Sequence, residues 1–263
     1  MQIIKYFKVW KQLSSCAISS YLSNRIDSLG YFIGKLIRFA FFIILIFSIF
    51  KYTNNLGGYS KYEIIMFFLT FNLMDVLAQV FFRGIYLFKD DVRLGNFDYI
   101  ISKPINPLFY SLTRLTDILD MLFLIPIIGL IIYAVLKLHI ILTLLNFLIY
   151  LFFIALGILI ILGIHIFSAC VTIWTMESEN FIWFYREAMT IGRFPPKIYS
   201  NFVQIIFTYL MPIIVIVAFP TKALLGQANY SMMFIATVIT IIFFNGSLFL
   251  WKISLKRYSS ASS

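Results

Sequence analysis

Charged side chains are scarce in this 263-residue chain: only 12% of its residues are Asp, Glu, Lys or Arg, whereas 62% are hydrophobic. A soluble domain carries roughly 25% charged residues, and a soluble core of this size could not bury so much apolar surface. Cysteine is scarce too, and Cys16 and Cys170 form neither a disulfide framework nor a metal-binding spacing. The composition therefore excludes an ordinary soluble globular protein and a secreted protein held together by disulfides.

Sequence motifs of catalysis are also missing. Gly34-Lys35-Leu36 lacks the glycine-rich loop and the Ser or Thr that a nucleotide-binding P-loop requires. Neither a zinc-protease helix nor a nucleophile elbow occurs. The chain is therefore predicted not to be an enzyme, and to bind no metal and no cofactor itself.

Long hydrophobic runs dominate what is present. A membrane-spanning helix needs about 20 mainly apolar residues, and six stretches meet this requirement. They are Tyr31–Phe50, Glu63–Phe82, Ile118–Leu136, Ile140–Ile173, Phe202–Phe219 and Met232–Trp251. The sequence thus predicts an all-α polytopic membrane protein with about six transmembrane helices.

The distribution of positive charge predicts the orientation. With the N-terminus inside, most of the 21 Lys and Arg residues fall in cytoplasmic segments, including Arg186, Arg193 and Lys197. Both termini are therefore expected in the cytoplasm. Because these charges lie between hydrophobic runs, the net charge of +10 indicates contact with the lipid bilayer and its anionic headgroups, and no nucleic-acid partner.

The distribution of apolar and charged residues divides the chain into three segments. Residues 1–28 place apolar side chains at helical spacing against lysines, which is typical of an amphipathic helix lying on the inner membrane surface. Residues 29–252 form one transmembrane domain, with a long cytoplasmic loop at 83–117, and residues 253–263 form a cytoplasmic tail. Near Met211–Gln227, three helix-breaking residues favour either a short re-entrant or surface helical turn on the outer side, or a simple loop.

Polar residues at helical spacing mark two of the spans. Asn72, Asp75, Gln79 and Arg83 fall on one stripe of the second span. An ionisable group at the depth of Asp75 is costly unless it is paired or hydrated, so the stripe should face protein or water. Lining of a pathway, contact between subunits and hydrogen bonding between helices are all compatible with the stripe.

The fifth span carries a weaker version, formed by Asn201, Gln204 and Thr208. Such neutral side chains favour simple helix packing. In the fourth span, His165 shares a face with Ser168 and Thr172, and is read as a packing residue ahead of a proton relay.

The loop between the second and third spans predicts a protein-docking element. Its charged part, from Lys89, is expected to form a short helix that ends at Gly95, with Pro104 and Pro107 setting a turn. A rigid cytoplasmic protrusion of this kind suits binding to another protein. An ordinary solvated loop is the alternative.

The chain resembles the ABC-2 type permeases, the membrane subunits of ATP-binding-cassette exporters, and most of all their compact six-span bacterial branch. The resemblance rests on three places in matching order. They are Gly95-Asn96-Phe97-Asp98 with Lys103-Pro104, then Pro195-Pro196 followed by Pro212 and Phe219-Pro220, then Leu250-Trp251 with Lys256-Arg257-Tyr258-Ser259. Phe97 departs from the Leu that is usual in the family, which leaves the subgroup open.

The resemblance implies a mechanism and a location. Two permeases, identical or sister chains, would pair in the bacterial cytoplasmic (inner) membrane and bind two separate ABC ATPase subunits, which hold the ATP and magnesium. The docking residues would be Lys89, Asp90, Asp91, Arg93, Gly95, Asp98, Lys103 and Pro104. The stripes of the second and fifth spans would line the translocation pathway between the two permeases.

Three rival functions are weaker. An ion-coupled secondary carrier would use Asp75 or His165 as its coupling site, and is the principal alternative. An intramembrane enzyme would need a convergent set of acid, base or metal ligands, and none is found. A membrane scaffold would not explain the charged stripe through Asp75.

Overall fold

The computed structural model describes residues 2–140, 143–176 and 179–259, and the regular elements within these ranges are helical. The α-helices of these ranges are α1 (Gln2–Ser23), α2 (Arg25–Ile49), α3 (Lys61–Phe82), α4 (Phe88–Arg93), α5 (Asn96–Ser102), α6 (Pro107–Thr113), α7 (Ile118–Lys137), α8 (Leu144–Thr175), α9 (Glu179–Met189), α10 (Asn201–Ile205), α11 (Ile213–Leu224) and α12 (Tyr230–Arg257). Short 3₁₀ segments span Arg83–Leu87, Thr190–Arg193 and Pro196–Ile198, and α10 continues as a π-helix over Ile206–Leu210. The all-α prediction is confirmed.

Five helices are long and apolar enough to cross a membrane, which confirms a polytopic membrane protein. They correspond to the first, second, third, fourth and sixth predicted spans. Their bounds are Arg25–Ile49, Lys61–Arg93, Ile118–Lys137, Leu144–Thr175 and Tyr230–Arg257. The second of them comprises α3, the 3₁₀ segment after it and α4. The long helix α8 is central, because it packs against α3, α11 and α12.

The continuous fifth span predicted over Phe202–Phe219 is wrong. The helix that begins at Asn201 ends at Leu210, and α11 leaves it at an angle of 99°. The break falls at Met211 and Pro212, where proline removes a backbone donor. A Cβ atom placed on Gly226, just after α11, would lie 3.9 Å from the Asn146 side chain in the first turn of α8. The α11 end therefore returns to the same end of the bundle where α8 begins, as the re-entrant alternative required.

Residues 179–198 run alongside the bundle from one end of α3 to the other. The ring and cation contacts that show this, in chain order, are Phe181 with Phe167, Tyr185 with His165, Arg193 with Phe71 and Lys197 with Tyr59. His165 lies beside Phe82 at one end of α3, whereas Tyr59 precedes the other end. The predicted location of Arg193 and Lys197 at the cytoplasmic end is therefore wrong: Arg193 lies halfway along α3, and Lys197 near its Lys61 end.

The N-terminal helix α1 packs on the loop between the second and third spans. Lys5 Nζ donates to the Pro104 carbonyl at 2.5 Å, and the hydroxyls of Ser14 and Thr116 are 2.9 Å apart. The helix ends at Ser23, and Arg25 already begins α2, so the boundary lies slightly before the predicted residue 28. At the other terminus, α12 continues to Arg257, into the region predicted as a tail.

Candidate functional site

The polar stripe of α3 contacts α9. The Asp75 carboxylate and Arg186 form an ion pair at 3.8 Å. Gln79 Nε2 and Arg186 Nη1 both donate to the Tyr86 hydroxyl, at 3.3 and 3.4 Å, and the Arg186 guanidinium also lies over the Trp183 ring. Asp75 and Gln79 are therefore paired with protein partners, which is what their burial among apolar helices requires.

The two ends of the stripe differ from its centre. Asn72 Nδ2 donates within its own helix, to the Phe68 carbonyl at 2.7 Å. Arg83 forms an ion pair with Asp117, whose carboxylate also caps α7 by accepting from the Leu119 N–H at 3.0 Å. The stripe therefore divides: its centre binds α9, and Arg83 binds α7.

A second ion pair joins α2 to α7. Lys35 Nζ pairs with the carboxylate of Asp120, whose side chain is completely buried, and lies 5.0 Å from the centre of the Phe123 ring. Sequence reasoning counted Lys35 only as an orienting charge and did not single out Asp120. The available signal was a lone ionisable residue within an apolar run, since such residues need a partner.

A polar cavity of about 150 Å³ lies between α2, α3 and α9. Asn72 and Asp75 are the two residues of the predicted stripe that line it. The other polar lining residues, which sequence reasoning missed as site residues, are Lys35, Arg38, Arg186, Glu187, Thr190 and Arg193. Aromatic rings complete the wall, namely Tyr31, Phe39, Phe42, Phe68, Phe71 and Trp183.

The polar residues predicted on the fifth span do not reach this cavity. Gln204 Nε2 donates to the Tyr199 carbonyl at 2.9 Å, Thr208 donates to the Gln204 carbonyl at 2.7 Å, and Asn201 is exposed. Within the described ranges, no hydrogen bond or ion pair connects these three residues with the stripe of α3. The structure therefore does not bring the two predicted stripes together in one chain.

His165 is held within the helix bundle. Its Nδ1 donates to the Ile161 carbonyl at 2.8 Å, and its ring lies between Phe82 and Tyr185, with centroids at 5.5 and 5.6 Å. The ring is buried and does not line the polar cavity. Among the described residues, no group of three or more His, Cys, Asp or Glu side chains could hold a metal ion.

The predicted docking loop forms two short helices joined by a left-handed turn. Helix α4 ends at Arg93, and Gly95 has φ of +74°, a conformation that favours glycine, before α5 begins at Asn96. Asp91 is buried and forms an ion pair with Arg114 at 2.6 Å. This residue, predicted to dock a partner, is therefore a structural support of the loop.

The exposed part of the loop is charged and apolar at once. Asp90, Arg93, Lys103 and Pro104 are exposed, whereas Lys89, Gly95 and Asp98 are half-buried. Between them, Leu94 and Tyr99 are 70% and 72% exposed, which sequence reasoning did not anticipate. We call Asp90, Arg93, Leu94, Tyr99 and Lys103 the docking surface. Such a surface, with large apolar side chains beside charges, has the composition of a protein-binding site.

The C-terminal end of α12 supports this loop from behind. The Tyr258 ring packs on the buried Phe97 ring of α5, with centroids 5.0 Å apart, and Trp251 lies 6.3 Å from Phe97. Burial and the neighbouring Asp98 carboxylate raise the pKa of Tyr258 to about 12. Tyr258 therefore stays neutral at physiological pH. Two of the three motif regions quoted from the sequence meet at this point, namely the one with Phe97 and the one with Trp251 and Tyr258.

Comparison with known proteins gives one match. A family model described as "ABC-2 family transporter protein" matches residues 36–262, which is most of the chain and includes the α3 stripe, the polar cavity residues from Arg38 onward and the docking surface. No curated protein and no solved structure matches the chain significantly.

Proposed function

The chain belongs to the ABC-2 family of transporter proteins, and on this premise we propose that it is the permease subunit of a bacterial ATP-binding-cassette exporter. It is a transport component of the membrane. In our proposal it lies in the cytoplasmic membrane with both termini inside, pairs with a second permease, and is driven by separate ATPase subunits that hold the ATP and magnesium.

The docking surface is the observation that carries this proposal. Leu94 and Tyr99 expose large apolar side chains at the end of the molecule where α3 ends and α7 begins. Arg93, Asp90 and Lys103 surround them with charge. Interfaces between proteins combine an apolar or aromatic centre with a polar rim. The surface therefore has the chemistry needed to bind an ATPase subunit from the cytoplasm.

Rigid contacts connect the docking surface to the spans. The Asp91–Arg114 ion pair ties α4 to the end of α6. Where α6 meets the 3₁₀ segment after α3, a Cβ on Gly84 would lie 2.3 Å from the Ser111 carbonyl oxygen, so the two backbones touch. The Arg83–Asp117 ion pair then joins α3 to α7. A displacement of α4 and α5 by an ATPase would therefore be passed to both helices.

The size of the polar cavity supports a paired permease. Its volume of about 150 Å³ is below the range of about 300–1,000 Å³ that is typical of small-molecule sites. Helix α2, which forms one wall, fully buries only Phe39 and Ile46, and most of its remaining side chains are exposed and open to lipid or to another chain. A second copy or a sister permease placed against this side would enlarge the cavity into a pathway lined by Asn72 and Asp75.

Co-purification tests the docking surface. The tagged chain is extracted with detergent from membranes of its native host, and any bound ATPase is identified by mass spectrometry through a peptide that contains a Walker A motif. We expect Leu94→Ala and Tyr99→Ala to lower the ATPase recovered by about tenfold or more, since central apolar anchors contribute about 1–4 kcal/mol each. Tyr52→Ala is the matched control, because Tyr52 is 92% exposed but lies in the loop between α2 and α3, at the other end of the molecule.

Equal ATPase recovery from the docking-surface variants and from the Tyr52 variant would overturn the assignment of this surface. Gel filtration and membrane insertion are measured in parallel, because both docking substitutions are of exposed side chains and should leave the fold intact. Failure of the wild-type chain to retain any ATPase under conditions where it stays folded would overturn the exporter proposal itself.

A further inference from the structure

Two arginines line the polar cavity and form no ion pair with any residue that the structure describes. Arg38 projects from α2 and Arg193 from the 3₁₀ segment after α9, and both line the cavity. Within the part of the chain that the structure describes, Lys35 is paired with Asp120 and Arg186 with Asp75, whereas neither Arg38 nor Arg193 makes an ion pair. The remaining carboxylate of the lining, Glu187, is exposed and likewise makes none.

The depth of Arg193 makes its charge unusual. Arg193 lies 4.9 Å from the centre of the Phe71 ring, and Phe71 is midway along the 22-residue helix α3. Charged side chains at such depth in a membrane protein are costly, and they mark ion or substrate pathways. Arg38 lines the same cavity as Arg193. Two like charges therefore face one space, an arrangement that a bound anion would stabilise.

Arg193 is held in a geometry that suits an anion. Its guanidinium lies over two aromatic rings, Phe42 at 5.2 Å and Phe71 at 4.9 Å. Ring contacts use the faces of the guanidinium plane and leave the N–H donors at its edge. Its Nε is buried without a hydrogen-bond partner, and an unmade bond of this kind is costly. The planar fork of an arginine matches the oxygens of a phosphate or a carboxylate.

The apolar part of the wall defines the rest of the ligand. Phe39, Phe42, Phe68 and Phe71 line the cavity, and the Phe42 and Phe68 rings stack at 4.4 Å. A small hydrated anion would gain nothing from these rings. Because the cavity measures only about 150 Å³, it would take the oxyanion group of an amphiphile on the arginines and the adjoining part of its apolar chain along the rings, with the rest of the chain outside.

We propose that Arg38 and Arg193 form a binding site for the phosphate or carboxylate group of an anionic amphiphile, which is the class of molecule that this permease moves. That the permease moves this amphiphile rests on the proposed function, whereas the binding site itself does not. The site lies midway along the spans, so the amphiphile is held within the bundle and not at the level of the membrane surface.

Binding to the purified chain tests the site. The full chain, with its ATPase if one co-purifies, is titrated in maltoside micelles with n-dodecyl phosphate, with n-dodecyltrimethylammonium and with inorganic phosphate. Trp183, one of the four tryptophans, lines the cavity. The part of the fluorescence change that Trp183→Phe removes therefore reports occupancy. We expect saturable binding of dodecyl phosphate, with an affinity at least about tenfold above that of the other two probes, because hydrogen bonds between charged groups are stronger than those between neutral groups.

Substitutions test whether dodecyl phosphate binds at Arg38 and Arg193. Arg38→Gln and Arg193→Gln should each weaken dodecyl phosphate binding by about tenfold or more. Arg25→Gln, an exposed arginine at the first residue of α2, should leave it unchanged. Arg38 is exposed, so its variant should fold normally. Should Arg193→Gln fail to fold, Arg193→Lys is used, which keeps the charge but loses the fork and should bind more weakly.

Three results would overturn the proposal: equal affinity in Arg38→Gln, Arg193→Gln and Arg25→Gln, tighter binding of the cationic amphiphile, or inorganic phosphate binding as tightly as dodecyl phosphate. The last result would replace the amphiphile with a free phosphate. No ATP and no transport enter this measurement. Loss of the ATPase interaction and loss of the anion site are therefore distinguishable outcomes.

Discussion

Replacement of Lys35 by methionine should expose the cost of an unpaired charge in the helix bundle. Lys35 Nζ pairs with the Asp120 carboxylate, and the Asp120 side chain is completely buried. Removing one partner of a buried ion pair leaves the other charge uncompensated and typically costs about 3–5 kcal/mol. Arg83 attracts the Asp120 carboxylate, but Asp75 repels it at least as strongly, so the remaining charges do not replace the lost lysine. The expected loss for Lys35→Met is therefore about 3–5 kcal/mol.

The double variant Lys35→Met with Asp120→Asn should recover much of that stability. A neutral pair of similar volume is often as stable as a buried ion pair, because neither partner must be desolvated as a charge. The coupling energy between the two substitutions should therefore be about 2–3 kcal/mol, the upper part of the range for residues in direct contact.

Unfolding by SDS in mixed micelles, followed by helical circular dichroism, measures these free energies. Lys51→Met is the matched control, because Lys51 is exposed in the loop after α2 and its loss should change stability by less than about 0.5 kcal/mol. The reasoning is refuted if Lys35→Met is as stable as the Lys51 variant, or if the double variant loses the sum of the two single losses.

Two further predictions concern α3 and its continuation. Gly84→Ala should lower the free energy of unfolding by about 1–3 kcal/mol, because its Cβ would lie 2.3 and 2.7 Å from the Ser111 and Leu112 carbonyl oxygens. Gly30→Ala is the control and should cost nothing, because the space around Gly30 is open. Equal stability of both variants in the same SDS titration would contradict this. Asp75→Leu removes the carboxylate beside Arg186 and should impair ATP-driven efflux or permease pairing, as measured by transport in cells and by chemical cross-linking. A fully active, fully paired Asp75 variant would mean that the stripe is incidental.

Hydropathy predicted the spans that are straight helices. In the second and third spans the apolar run and the helix nearly coincide, because crossing the bilayer requires about 20 apolar residues. The fifth span failed, since a window of apolar residues carries no information about the 99° bend. Pro212 was the local signal for the break, and it supported the re-entrant alternative near Met211–Gln227.

The segment 179–198 was missed for a different reason. It carries Arg186 and Arg193, and a charged stretch reads as a cytoplasmic connection under the positive-inside rule. In the structure these charges are accommodated by distant residues, Asp75 for Arg186 and the rings of Phe42 and Phe71 for Arg193. Such partners lie more than a hundred residues away along the chain, so no local pattern could reveal them.

The candidate site was predicted only in part, because the spacing of residues reveals neighbours on one helix but not contacts between helices. Helical spacing correctly placed Asn72 and Asp75 beside one another on the cavity wall, because the repeat of a helix is local. The burial of Asp91 and the exposure of Leu94 and Tyr99 depend on how α4 and α5 pack on α6, α8 and α12. Charge alone therefore favoured Asp91 as a docking residue, whereas packing makes it a support.

Native mass spectrometry of the intact complex tests whether the chain is the permease subunit of an ATPase-driven exporter. The wild-type chain is purified from native membranes in mild detergent before the mass is measured. We expect an assembly with two permease chains, identical or sister, and two ATPase subunits. A folded chain whose mass includes no nucleotide-binding subunit would argue for the ion-coupled carrier instead.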